Sequence, residues 1–134
     1  MSSNVERTRR WYKEVWKPGG ERTVHELMAE EIEGYMEGVD VRSRAEFLVE
    51  RQRLLEAFPN LVIEVDDCIE EGSKVVARWH VTATHTGDAL GFPATNRKVA
   101  FRGMTWVEFK DGRIVRGWDS WNLGGLLQSL VAPQ

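Results

Sequence analysis

The residue in this chain whose type and setting most suggest chemistry is Asp119, the lone acid in the run Gly117-Trp118-Asp119-Ser120-Trp121. A carboxylate in apolar surroundings is costly, so it must find a partner, become neutral or serve a reaction. Perturbed acids occur both in active sites and in structural ion pairs. Two readings follow: a functional acid–base group, or a structural carboxylate held by backbone amides or by Arg102.

The other chemically capable side chains are sparse. His80 shares a strand face with Arg78 and Thr82, which suits a structural or dimer-face role. His85 sits in Thr84-His85-Thr86-Gly87, beside a glycine turn at the expected mouth of a pocket. His25 lies on a predicted helix and is expected to be exposed. The three histidines lack metal-ligand spacing and no Cys or carboxylate cluster completes a set, so no metal site is predicted. Ser120 forms no triad with Asp119, because adjacent strand residues point to opposite faces. Gly87, Gly91, Gly124 and Gly125 do not have phosphate-loop spacing. Cys68, the only cysteine, reads as a small strand residue, and no intrachain disulfide can form. Tyr12, Trp16, Trp106 and Trp121 could line a pocket for a flat molecule or pack as plain core.

The 134 residues predict a single domain with one core. Six Trp and five Phe are more aromatic surface than a minimal core needs, which favours a lined cavity or an apolar dimer face. A net charge of −3 argues against nucleic acid, and the short basic cluster Arg7, Arg9, Arg10 reads as a solvated helix face. No run resembles a signal peptide or a membrane span. A cytoplasmic protein with no membrane partner is the expectation.

These side chains need elements to position them. Val5, Thr8, Trp11, Tyr12, Val15 and Trp16 recur at helical spacing over residues 4–17, with Asn4 as N-cap and Pro18-Gly19-Gly20 as the stop. A second helix is predicted over 21–29 and a short strand over 30–36. A third helix follows Ser43, with Glu46 completing a capping box, and ends at Pro59-Asn60. The period then changes. Leu61, Ile63 and Val65 alternate with Val62, Glu64 and Asp66, Glu71-Gly72-Ser73 turns the chain, and Val75, Ala77, Trp79, Val81 and Ala83 share one strand face. Residues 99–122 form a hairpin about Lys110-Asp111-Gly112, and 123–130 close the chain as a helix. Helices first and an antiparallel sheet after make an α+β architecture.

Loop length decides what Asp119 faces. A three-residue loop places Gly103 opposite Asp119, on a face shared by Phe101, Thr105, Val107, Val115, Gly117 and Trp121. A two-residue loop places Met104 there, beside Arg102 and Trp106, and favours a salt bridge to Arg102. Both sheet faces are largely apolar. Helices can cover one, and a second subunit is expected on the other.

The run FPNLVIEVDDCIEEGSKVVARW, then THTGDALGFPATNRKV, then FRGMTWVEFKDGRIVRGWDSWNLGGLLQSL resembles the SnoaL-like polyketide cyclase and ester-cyclase group of the nuclear-transport-factor-two-like superfamily. The resemblance covers about residues 5–130, and residues 1–134 are read as one SnoaL-like domain. It implies helices packed on a strongly curved, mixed and mostly antiparallel sheet, a cone-shaped α+β barrel with a deep apolar pocket, commonly in a homodimer. It implies no metal and no organic cofactor. It also implies an Asp on the last strand, here Asp119, as acid and base for an intramolecular aldol closure of an apolar, polycyclic carbonyl compound. Substrate contacts are then expected from Thr105, His85, Tyr12, Trp16, Trp106, Trp121, Tyr35 and Phe101. The chain departs from the family where aldol cyclases place a His facing the catalytic Asp, since Thr105 stands there. It has Asn122 at the place of a second acid and Glu33-Gly34-Tyr35-Met36 at the place of another His. Alternatives within the fold are a non-catalytic binding or dimerisation module, an isomerase, a hydrolase or a dehydratase.

Overall fold

The computed structural model describes residues 3–133. Helix α1 (Asn4–Glu14) opens with Ser3, not Asn4, as its cap: Ser3 Oγ accepts the Glu6 N–H at 3.0 Å and Glu6 Oε1 accepts the Ser3 N–H at 3.4 Å. Asn4 instead accepts from the Arg7 guanidinium at 2.7 Å. The helix stops before the expected Lys17, in a segment where a Cβ on Gly20 would lie 2.3 Å from the Glu14 carbonyl oxygen. Helix α2 (Glu21–Leu27) is shorter than predicted, because Met28 already has extended backbone and begins β1 (Met28–Met36).

A strand that periodicity did not reveal, β2 (Val39–Ser43), folds back on β1 through Glu37-Gly38, where Gly38 takes a φ of 85°. Helix α3 (Arg44–Ala57) is capped by Ser43, whose Oγ accepts the Glu46 N–H at 3.1 Å. The reciprocal half of the expected box is absent there, because Glu46 turns to the Arg42 N–H at 2.8 Å. Strands β3 (Val62–Glu71), β4 (Lys74–Thr84), β5 (Lys98–Lys110) and β6 (Arg113–Trp121) follow, and α4 (Leu123–Val131) ends the order. As its alternation requires, β4 buries Val75, Ala77, Trp79, Val81 and Ala83.

The six strands form one sheet in the order β2-β1-β6-β5-β4-β3, with β1 parallel to β6 and every other pair antiparallel. The mixed, mostly antiparallel α+β layout is as expected, but the strongly curved, cone-shaped barrel is not. The sheet is open, neither closed nor strongly curled, with β2 and β3 as its two edges. Closure would need those edges to pair. Instead β2 is only five residues long, and β3 carries exposed Glu64, Asp66, Glu70 and Glu71 with a bulge between Val65 and Asp67. Charges and bulges are the devices that leave a strand edge unpaired.

The helices pack on the face that carries Ala77, Trp79 and Val81, and one buried cation ties three of them together. Arg51 of α3, 1% exposed, donates to the carbonyls of Val15 at 2.6 Å and Lys17 at 2.7 Å and to Glu21 Oε1 at 3.0 Å. It thus satisfies the backbone that α1 leaves open at its end. No helix among the described residues is long and apolar enough to cross a membrane. Arg51→Ala would strand the buried Val15 carbonyl and remove the cation from Glu21, and a loss of about 3 kcal/mol is expected in urea unfolding. An unchanged midpoint would show that the clasp is dispensable.

Candidate active site

Neither simple register of the β5–β6 hairpin forms. The loop is the two-residue Asp111-Gly112, with φ of 53° and 78°, and Lys110 faces Arg113. Between Phe109↔Ile114 and Glu108↔Arg116 the partner skips Val115, which is a bulge. This extra residue moves the rest of the ladder by one, so Asp119 lies opposite Thr105, and Gly103 lies opposite Trp121. Relative to a three-residue loop the shift is two residues, an even number, so Asp119 keeps the helix-covered face. Arg102 pairs with His80 on the other face, which removes the Arg102 salt bridge as the anchor of Asp119.

What holds Asp119 is a short hydrogen-bond chain. The Trp79 indole Nε1–H donates to Thr105 Oγ1 at 2.9 Å, and Thr105 Oγ1 donates to Asp119 Oδ1 at 2.6 Å. Trp79 and Thr105 are both buried. Gly103 makes room for this arrangement, because a Cβ there would lie 2.7 Å from Trp79 Cη2. Burial pushes the Asp119 carboxyl up to about 6; the Thr105 hydroxyl opposes the rise and the charge of Glu37 adds to it. Tyr12 of α1 is pushed well above the ordinary phenol range, first by burial and then by the charge of Asp119. Its hydroxyl is therefore a neutral donor at physiological pH.

Asp119 faces a cavity of about 610 Å³. Tyr12, Trp16, Phe101, Thr105 and Trp121, all predicted, line it, and Phe101 and Trp121 stack with ring centroids 4.7 Å apart. Helix α3 adds Phe47 and Leu54, and the loop after β4 adds Ala89, Leu90 and Gly91. Charged side chains of α3, Glu50 and Arg53, also line it.

Three predicted contacts sit differently. Trp106 is on the opposite face, edge-on to Trp118 at 5.1 Å with Lys74 over its ring, because it neighbours the inward Thr105 and Val107 on a strand of period two. Tyr35 borders the cavity, but its ring stacks on Trp118 at 4.8 Å under the Arg42 guanidinium. His85 is wholly buried outside the cavity lining, between Phe58 and Phe92. Its Nδ1 accepts the Thr95 N–H at 3.1 Å, while its backbone meets Asn96 and Arg97. It pins the base of the loop that supplies Ala89 to Gly91. His80 faces Asp66 at 2.8 Å on the exposed side.

Besides those added lining residues, two groups that act on Asp119 were not predicted. Trp79 reads from sequence as core, although a buried indole N–H needs an acceptor and so signals a polar neighbour. Glu37, which accepts the Trp121 N–H at 3.3 Å, lies in the turn leading to the unpredicted β2. Among the described residues no group of three or more His, Cys, Asp or Glu is arranged to hold a metal.

A family model described as SnoaL-like polyketide cyclase matches residues 6–130. AclR from Streptomyces galilaeus, a candidate hydroxylase, is 30% identical, with 98% of this chain and 85% of that one covered and a TM-score of 0.80. A candidate polyketide cyclase from Acidithiobacillus ferrooxidans is 25% identical over 97% and 96% of the two chains, TM-score 0.82. A candidate SnoaL-like polyketide cyclase from Jannaschia sp. CCS1 superposes with a TM-score of 0.91 at 24% identity, covering 98% and 93%. No curated protein matches the chain in sequence.

The raised carboxyl makes stability depend on pH. Between the ordinary 3.8 and about 6 the folded chain binds more proton than the unfolded one. The contribution of Asp119 is therefore complete below the lower value and is lost as pH rises through the upper one. The loss at neutral pH is on the order of 3 kcal/mol, two pH units at roughly 1.4 each. Asp119→Asn keeps an acceptor for Thr105 and removes the charge. It is expected to exceed the wild type by about 1–3 kcal/mol at neutral pH, with the gap closing toward pH 4 in urea titrations. A pH-independent gap would refute a burial-raised carboxyl.

Proposed function

The chain belongs to the SnoaL-like polyketide cyclase family, and on that premise we propose that it is an acid–base enzyme that closes a ring in an apolar, fused-ring carbonyl compound by intramolecular aldol addition. The observation that carries this reading is the Asp119 carboxyl, bound through one oxygen to Thr105, facing an aromatic cavity, with its pKa brought near neutrality.

At neutral pH most of Asp119 is carboxylate, and it takes a proton from the carbon beside a substrate carbonyl. The neutral Tyr12 hydroxyl donates a hydrogen bond to the oxygen on which the enolate charge develops. The enolate carbon then bonds to a second carbonyl carbon of the same molecule. The alkoxide formed there receives the proton back from Asp119, so the product is an isomer of the substrate and the carboxylate is regenerated. Trp16, Phe101 and Trp121 hold the flat rings and keep water from the enolate. No step calls on a group outside these side chains.

The test reads the first step directly, because it is independent of where a ring closes. A panel of fused-ring aromatic β-keto esters and β-diketones is incubated in D₂O, and deuterium uptake is followed by mass spectrometry. Wild type is expected to catalyse exchange with a rate that rises through about pH 6, the value of Asp119. Asp119→Asn is expected to lower it by roughly 10²–10⁴-fold with ligand affinity retained. Exchange that survives in Asp119→Asn would overturn the assignment.

The same reading includes a homodimer through the sheet face that the helices leave open. Met104 and Trp118 are 52% and 40% exposed there, beside Trp106 and Tyr35. Arg116, Glu33 and Glu108 flank them, a mixed charge pattern suited to a two-fold contact with a second copy. Trp118→Glu is expected to sediment as a monomer where the wild type sediments as a dimer. A wild-type monomer would refute this interface.

A further inference from the structure

We infer that Trp79 and Thr105 are positioning residues that divide the labour between the two oxygens of Asp119, leaving Oδ2 as the oxygen that exchanges a proton with substrate. The inference rests on the acid–base reading above and adds which atom of the carboxyl acts.

The argument follows from the donor inventory. An indole N–H can only donate, so at 2.9 Å it must use a lone pair of Thr105 Oγ1. A carboxylate can only accept, so at 2.6 Å it takes the one hydroxyl proton. Each partner removes a choice from the hydroxyl, and its rotor is fixed with the proton on Asp119 Oδ1. Oδ1 already accepts a strong bond, while Oδ2 has no hydrogen-bond partner among the described residues and is not among their buried unpartnered atoms. It is the oxygen open to the cavity that the carboxyl lines. A substrate proton therefore goes to Oδ2, and it leaves from Oδ2.

Trp79 does this without touching the acid, which is possible because the residue facing it across β4 and β5 is Gly103. Its ring lies where a side chain at Gly103 would be, and so its Nε1 reaches Thr105 one strand over. Tyr12 covers the other side of the indole at 6.4 Å between centroids.

The test is a ¹³C carboxyl NMR titration of Asp119 in the full chain, which needs no substrate. Thr105→Val is expected to raise the midpoint by about one pH unit, because a hydrogen bond to the charged form is lost. Thr105→Ser restores the hydroxyl and is expected to return the midpoint to within a few tenths of a unit of wild type, roughly. Trp79→Phe frees the rotor and is expected to raise the midpoint by a smaller amount. In the double variant with Thr105→Val, Trp79→Phe is expected to add nothing. A Trp79→Phe midpoint equal to wild type, or full additivity in the double variant, would overturn the inference, since a merely packing indole would act independently of Thr105. If Thr105→Val does not fold, Thr105→Ala, which also lacks the hydroxyl, takes its place in the same cycle with Trp79→Phe. The pH limb of deuterium exchange should move with each midpoint. A moving midpoint without any exchange would instead refute the enzymatic reading and leave the hydrogen-bond assignment standing.

Discussion

The 2.6 Å hydrogen bond from Thr105 to Asp119 is the contact on which the rest of the site depends. A carboxyl surrounded by aromatic and aliphatic walls is held there by one hydroxyl, where a structural carboxylate would have an arginine or several amides. One bond is enough to fix its orientation and too little to offset its burial, so the group stays near its titration point. The register of β5 against β6 decides whether the bond can form. A tight two-residue turn alone would have set Asp119 against Met104, and the bulge at Val115 corrects that by one residue.

The open sheet bears on how the cavity is made. Without a closed barrel, the concavity has to come from what is laid over the sheet. Helix α1 brings Tyr12 and Trp16, α3 brings Phe47 and Leu54, and the loop after β4 brings Ala89 to Gly91. Each cover is fastened by buried polar contacts. Arg51 ties α3 to the end of α1, while Thr86 and Gly87 donate to the Ala57 carbonyl and His85 binds Thr95. Gly87 has to be glycine there, since a Cβ would overlap the Glu56 carbonyl oxygen. Fully buried His85, which looks chemical in sequence, is in this arrangement a fastening for the loop.

Much of the scaffold was legible because its signals are local. The alternation of β4, the Ser43 cap and the Asp-Gly turn each depend on a few adjacent residues. Features that depend on pairing between distant segments were not. Val115 is β-branched like Ile114 before it, so nothing in its identity marks it as the residue the ladder skips. Strand β2 alternates Val39 and Val41 with exposed Asp40 and Arg42, too short a pattern to stand out, although Glu37-Gly38 was an available turn signal. Whether a sheet closes depends on its two outermost strands meeting, which no local pattern in β2 or β3 specifies. Trp106 could have been excluded from the cavity by parity alone, once Thr105 and Val107 were placed inward.

That Thr105, and not a histidine, faces Asp119 has a chemical consequence for the proposed reaction. An imidazole facing Asp119 could carry the proton between the abstraction step and the alkoxide, and the carboxyl would then need to act only as a base. A threonine hydroxyl cannot hold an extra proton at neutral pH, so Asp119 has to perform both transfers itself. A single group that takes and returns a proton works best when neither form is strongly favoured, which is what a carboxyl titrating at about 6 provides. Burial supplies most of that rise and Glu37 adds to it, while Thr105 limits it. On the proposed reaction, a site with Thr105 facing Asp119 thus leaves its remaining groups to adjust the one carboxyl toward doing the work of two.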